Sequence, residues 1–142
     1  MTAADDRFAI IAALDRYAEC LDRREWDGLG DVFCDDLEAD YQLWQAESIP
    51  DLCERIRSML GGCGPTQHLL GNYRIELDGD RAASRCYARV MHFAADGSDR
   101  SFEVWMEYAD AWRRTPAGWR SHSRRATVSM QRGDPSVLGP EQ

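Results

Sequence analysis

The sequence predicts an α+β fold over residues 1–142, a single domain with helices packed on a curved, mostly antiparallel sheet. Three observations predict it. The first sixty residues carry apolar side chains at helical spacing, and the chain from Thr66 onward carries long alternating runs of strand type. Only short turn signals separate those runs, so the second half reads as a meander of neighbouring strands.

Thr2 followed by Asp5 caps a first helix, in which Phe8, Ile11, Leu14, Ala18 and Leu21 recur every three to four residues. Arg23-Arg24 marks its end, where cations suit the negative end of the helix dipole. A shorter second helix carries Trp26, Leu29, Val32 and Phe33, and residues 37–44 read as a first strand. Ser48-Ile49-Pro50-Asp51 combines a cap, an early proline and an acidic first turn, and starts a third helix with Leu52, Ile56, Met59 and Leu60 on its apolar face. Gly61-Gly62 ends it. Strands follow at 67–72, 73–77, 81–93, 101–114 and 119–130, with turns at Asp78-Gly79-Asp80, Asp96-Gly97 and Thr115-Pro116-Ala117-Gly118. From about Gly133 the tail, with Pro135 and Pro140, is irregular. Long strands with helices on one face make a curled sheet whose concave side can enclose a small-molecule pocket.

Composition narrows the function. The formal net charge of −8 excludes a general phosphate-backbone binder and disfavours docking on anionic membranes, because both need an excess of cations. No apolar run approaches the roughly 18 residues that span a bilayer. Cys20, Cys34, Cys53, Cys63 and Cys86 are odd in number and contain no CxxC, and no charged-then-apolar leader opens the sequence. They read as reduced thiols of a cytoplasmic protein.

Chemistry can come from few residues. His68 lies in the short apolar strand Gln67-His68-Leu69-Leu70-Gly71, where a histidine is either a satisfied core residue or a catalyst. His92 alternates with Val90, Ala88, Cys86, Ser84 and Ala82, a face of small side chains that leaves room for a ligand. His122 alternates with Arg120 and Arg124 and reads as partly solvated. Asp22 stands at the negative end of the first helix, an unfavourable place for a carboxylate that calls for a partner such as histidine. Tyr17 shares its broad face, and Tyr41 falls on the first strand as core, edge or pocket residue. The histidines lack metal-ligand spacing, and neither a glycine-rich phosphate loop nor a nucleophile elbow is present.

The run from Arg16-Tyr17 through Asp22 to Gly28-Leu29 resembles the opening of SnoaL-like proteins of the nuclear-transport-factor-like superfamily. So do Asp40-Tyr41, Thr66-Gln67-His68-Leu69-Leu70-Gly71-Asn72 and Arg114-Thr115-Pro116-Ala117-Gly118-Trp119-Arg120. Within the superfamily the likeness is closest to scytalone dehydratase and the bile-acid dehydratases. The resemblance implies a cone-shaped α+β barrel in which Asp22 pairs with His68 while Tyr41 and Tyr17 point at the substrate. It puts His92 where scytalone dehydratase has a second pocket histidine, and Arg124 where the bile-acid enzymes have a functional arginine. The sequence departs from that pattern at Leu21, Met106 and Tyr108, which stand where scytalone dehydratase has polar groups.

The expectation is a dehydratase without metal or organic cofactor, acting on a small hydrophobic, polyketide- or steroid-like carbonyl compound. His68 is the expected base, Asp22 its orienting carboxylate, Tyr41 or Tyr17 the donor to the carbonyl oxygen, and His92 an aid to the departing water. Arg124, Val90, Met106, Tyr108 and Trp44 are the expected substrate contacts. The same pocket serves an isomerase or a polyketide cyclase, and the fold also hosts non-catalytic binding and assembly modules. Trp105 and Trp112 are candidates for an exposed sheet face that joins copies of the chain, a trimer being favoured over a dimer.

Overall fold

The computed structural model describes residues 1–142. Helix α1 (Ala3–Asp22) opens with a reciprocal box in which Thr2 and Asp5 cap one another's backbone. Its buried stripe is Ile10, Ala13, Leu14, Tyr17, Ala18 and Leu21. The helix is thus rotated from the expected phase: Phe8 is exposed, because Asp6 rather than Phe8 faces the sheet, held there by Arg114 and Trp119. The expected second helix is a 3-10 helix at Trp26–Asp31, and Phe33 already belongs to strand β1 (Phe33–Asp40). That strand lies four residues earlier than the alternation predicts. Residues 41–44 turn back instead, with the Tyr41 N–H donating to the Trp44 carbonyl, and lead into the short strand β2 (Gln45–Ala46). Helix α2 (Ile49–Leu60) starts at its Ser48 cap and ends at Gly61-Gly62 as expected. Gly62 has a packing reason as well, since a Cβ there would meet the Pro140 carbonyl oxygen at 2.1 Å.

Four long strands complete the sheet: β3 (Thr66–Asp78), β4 (Arg81–Phe93), β5 (Ser101–Thr115) and β6 (Gly118–Gly133). The two strands expected between 67 and 77 are one, bent by a register shift between Gly71 and Arg74, where Asn72 takes a left-handed conformation. The order is β2-β1-β6-β5-β4-β3, antiparallel except for the parallel pair β1·β6. The sheet does not close into a barrel: β2 and β3 remain edges, and α1 crosses the hollow between β3 and β6. The tail is irregular apart from one 3-10 turn at Pro135–Val137, but it is anchored, with Val137 buried and Gly139 bonded to both Met59 and Gly62. No helix is long and apolar enough to cross a membrane.

Side-chain size shapes the hollow. The inward face of β4 is Ala82, Ser84, Cys86, Ala88, Val90 and His92, all buried, as the alternation predicts. Small residues near Arg81 let α1 approach the sheet, whereas the other end of the strand leaves a void. Trp112 is fully buried on this inner face, with its indole N–H on Ser84, and is no surface residue. It has the parity of Tyr108 and Asp110, opposite to Trp105, which packs outside against Arg89 and Arg132.

Candidate active site

Where α1 ends, β3 begins alongside it, and this crossing makes the polar centre of the hollow. The Asp22 carboxylate accepts three hydrogen bonds: from His68 Nδ1 at 2.7 Å, from the His68 backbone N–H at 2.8 Å and from the Thr66 hydroxyl at 3.0 Å. Burial alone pushes this carboxyl up, but the bonds from His68 and Thr66 outweigh it and hold its pKa below the ordinary carboxylate value. An ionised carboxylate makes Nδ1 a protonated nitrogen, so in the neutral imidazole the lone pair is on Nε2. That Nε2 has no hydrogen-bond partner in the protein, and the ring, with its side chain 5% exposed, lines a cavity.

The cavity holds about 190 Å³, and fifteen of its eighteen lining residues are hydrophobic, so it is a dry site with few polar groups to orient a guest. His92 reaches into it from β4, with its ring centre 6.3 Å from that of His68 and nearly perpendicular to it. His92 Nδ1 donates to the Phe102 carbonyl at 2.8 Å, so its Nε2 is also an acceptor. Burial lowers its pKa to about 4, and it is neutral at physiological pH.

Opposite the histidines, the Tyr17 and Tyr41 hydroxyls are 2.8 Å apart, and Trp44 stacks on Tyr41 at 4.2 Å. Gln42 holds this corner, its side-chain carbonyl accepting from the Val128 N–H. Behind the tyrosines lies Arg124, fully buried, with its guanidinium 4.3 Å from the ring centres of both Tyr17 and Tyr108. Its Nε donates to both Asp110 oxygens at 3.1 Å, and Nη1 reaches the Tyr41 hydroxyl at 3.4 Å. Burial disfavours this charge, but Asp110 and the three tyrosines outweigh burial and raise its pKa further. Burial also pushes the Tyr17 and Tyr108 phenols well above their usual range, so both keep their protons.

Tyr17, Tyr41, His68, His92, Trp44, Val90, Met106 and Tyr108 all line the one cavity. Asp22 stands behind His68. Arg124 stands behind the lining residues, joined to the cavity through the Tyr41 hydroxyl, and its Nη2 has no hydrogen-bond partner in the protein. Phe102 and Val104 share the inward parity of Met106 and Tyr108, so alternation alone identifies them as lining residues. Gln131 and Leu138 carry no such signal, since their positions follow from the extension of β6 and the return of the tail. No three His, Cys, Asp or Glu side chains converge to hold a metal, and all 17 basic residues are arginine, so no lysine amine is available for a covalent imine.

The SnoaL-like domain model matches residues 2–125. Protein Rv2910c of Mycobacterium tuberculosis is 34% identical over 132 residues, which cover 89% of this chain and 88% of that one. Among solved structures, the Kfla4162 protein of Kribbella flavida superposes with a TM-score of 0.85 at 28% identity, covering 96% of this chain and 98% of its own. A candidate scytalone dehydratase from Novosphingobium aromaticivorans has the same fold, with a TM-score of 0.81 at 18% identity over 94% of this chain and 90% of its own.

Proposed function

This chain belongs to the SnoaL-like family, and from the chemistry of its cavity we propose that it is a cofactor-independent dehydratase of small hydroxy-carbonyl compounds. The observation that carries the reading is the Asp22–His68 pair, 2.7 Å apart, with the free imidazole nitrogen at an apolar cavity. Nε2 of His68 takes the proton next to the substrate carbonyl. Asp22 keeps the ring in the required tautomer and stabilises the imidazolium as it forms. Tyr41 donates to the developing enolate oxygen. Tyr41 fits this role better than Tyr17, because its oxygen accepts from Arg124, and with the Tyr17 hydroxyl turned to donate to Tyr41 the Tyr41 proton is free for the guest.

Loss of hydroxide needs an acid. Neutral His92 has an acceptor at Nε2 and no proton to give, so it binds the substrate hydroxyl instead of protonating it. The proton that His68 has just taken is the one available to the leaving group. Base and acid are therefore the same imidazole, and the hydrogen and hydroxyl leave from one face of the substrate.

A dry cavity of about 150 Å³ holds a benzene ring, so about 190 Å³ suits a substrate of one or two rings. A four-ring steroid skeleton exceeds it, which favours the polyketide-like alternative. The test is to incubate the protein with one- and two-ring β-hydroxy-ketones and follow the absorbance of the conjugated product. Water loss that disappears in Asp22→Asn supports the reading; absence of turnover across the panel removes it. An isomerase is the second reading, and the observation favouring it is the lack of a separate acid, because isomerisation returns the proton to carbon. Its mark is a product of unchanged mass.

We also propose that copies of the chain associate through the outer sheet face, where Leu69, Tyr87 and Met130 are exposed around Trp105. Sedimentation of wild type against Tyr87→Glu tests this, with a shift to monomer expected.

A further inference from the structure

We infer that Arg24, acting through Thr66, is a positioning residue that sets the proton affinity of the Asp22–His68 pair. The inference rests on the reading of His68 as the base, and it starts from a backbone anomaly. Helix α1 ends in a Schellman arrangement: the Glu25 N–H bonds to the Cys20 carbonyl and the Arg24 N–H to the Leu21 carbonyl. The residue between them must be left-handed, and Arg24 has φ +59°. Glycine is the usual occupant, since any side chain is strained there. An arginine in that place points to a use for its side chain.

The side chain shows that use. Arg24 Nη1 donates to the Leu21 carbonyl at 2.6 Å and to the Thr66 hydroxyl at 2.8 Å, and Nη2 donates to the Gly64 carbonyl at 2.8 Å. With its oxygen so engaged, Thr66 turns its own proton onto Asp22 Oδ1, the same oxygen that receives His68 Nδ1. A polarised chain thus runs from the guanidinium through one hydroxyl to the carboxylate and on to the imidazole. Its consequence is directional. A cation held one hydroxyl away steadies the Asp22 carboxylate and opposes a second positive charge on His68. The charged or titratable groups facing the His68 ring are Asp22 and Arg24 from the end of α1 and His92 from β4, with Tyr17, Tyr41 and Tyr108 across the cavity. His92 is neutral and the Arg124 guanidinium lies behind the tyrosines, so Arg24 is the cation hydrogen-bonded into the pair, through Thr66.

Arg24→Gly is an informative variant, because glycine suits the left-handed backbone and the helix end should survive. Nitrogen-resolved NMR of the His68 imidazole reads the effect without any substrate. The protonation midpoint of His68 is expected to rise by about 0.5–1 pH unit in Arg24→Gly, a three- to tenfold gain in proton affinity. Thr66→Val should move it the same way while leaving the contacts of Arg24 with Gly64 and Leu21 in place, and Thr66→Ser should restore the wild-type value. Midpoints within about 0.2 unit of wild type in both Arg24→Gly and Thr66→Val, less than ~0.3 kcal/mol, would overturn the inference. Because the readout is the titration and not turnover, this outcome is separate from failure of the dehydratase reading.

Discussion

His92 makes the stability of this protein depend on pH in a way that can be worked out beforehand. Burial lowers its pKa from the ordinary 6.5 to about 4, while in the unfolded chain it titrates normally. Between those values the unfolded state binds the proton and the folded state does not, so stability falls as pH falls through this window. The contribution is complete above pH 6.5 and gone near pH 4. At ~1.4 kcal/mol per pH unit it amounts to about 3 kcal/mol. In His92→Gln an amide N–H can still reach the Phe102 carbonyl but nothing titrates. Urea unfolding of both proteins at pH 7, 5.5 and 4 gives the difference directly, because the carboxylates contribute equally to each. Wild type should lose about 3 kcal/mol more than the variant over this range. A constant difference between the two curves would refute the argument and mean that His92 is solvated enough to protonate in the folded state.

Other outcomes follow from the same geometry. Tyr41→Phe removes the proposed carbonyl donor and should lower kcat by 10²–10³, about 3–4 kcal/mol, with little change in KM; a loss below about tenfold argues against the role. Arg124→Met leaves Asp110 buried without its cation, and thermal or urea denaturation should report a loss of about 3–5 kcal/mol. Val90 pairs directly with His68 across the β3·β4 ladder, so Val90→Phe should fill the cavity, keep the fold by circular dichroism and abolish turnover of two-ring substrates before one-ring ones.

Much of this was legible in the residues because the relevant rules are local. The Thr2–Asp5 box, the Ser48 cap and the small-residue face of β4 are each a matter of spacing along one element. Asp22 was legible through its electrostatic misplacement, which asked for a partner, and the fold brings His68 to it. What failed was tertiary. Phe8 reads as core by period, yet the bonds of Asp6 to Arg114 and Trp119 rotate the helix. Trp112 reads as a surface aromatic, yet counting parity from Tyr108 turns it inward. The role of Arg124 depends on Asp110, fourteen residues earlier and across a strand pair, and no sequence pattern announces that pairing. The Arg24–Thr66 link is likewise invisible, since it joins a helix end to a strand 42 residues later.

The central claim is that His68, held by Asp22, moves the proton. Its most direct test is to compare wild type, Asp22→Asn and His68→Gln for exchange of the α-hydrogen of a one- or two-ring hydroxy-ketone with deuterium oxide, alongside water loss. The account predicts exchange and elimination in wild type, with both reduced by at least about 10² in each variant. Exchange that persists at the wild-type rate in His68→Gln would contradict it and move the base elsewhere in the cavity.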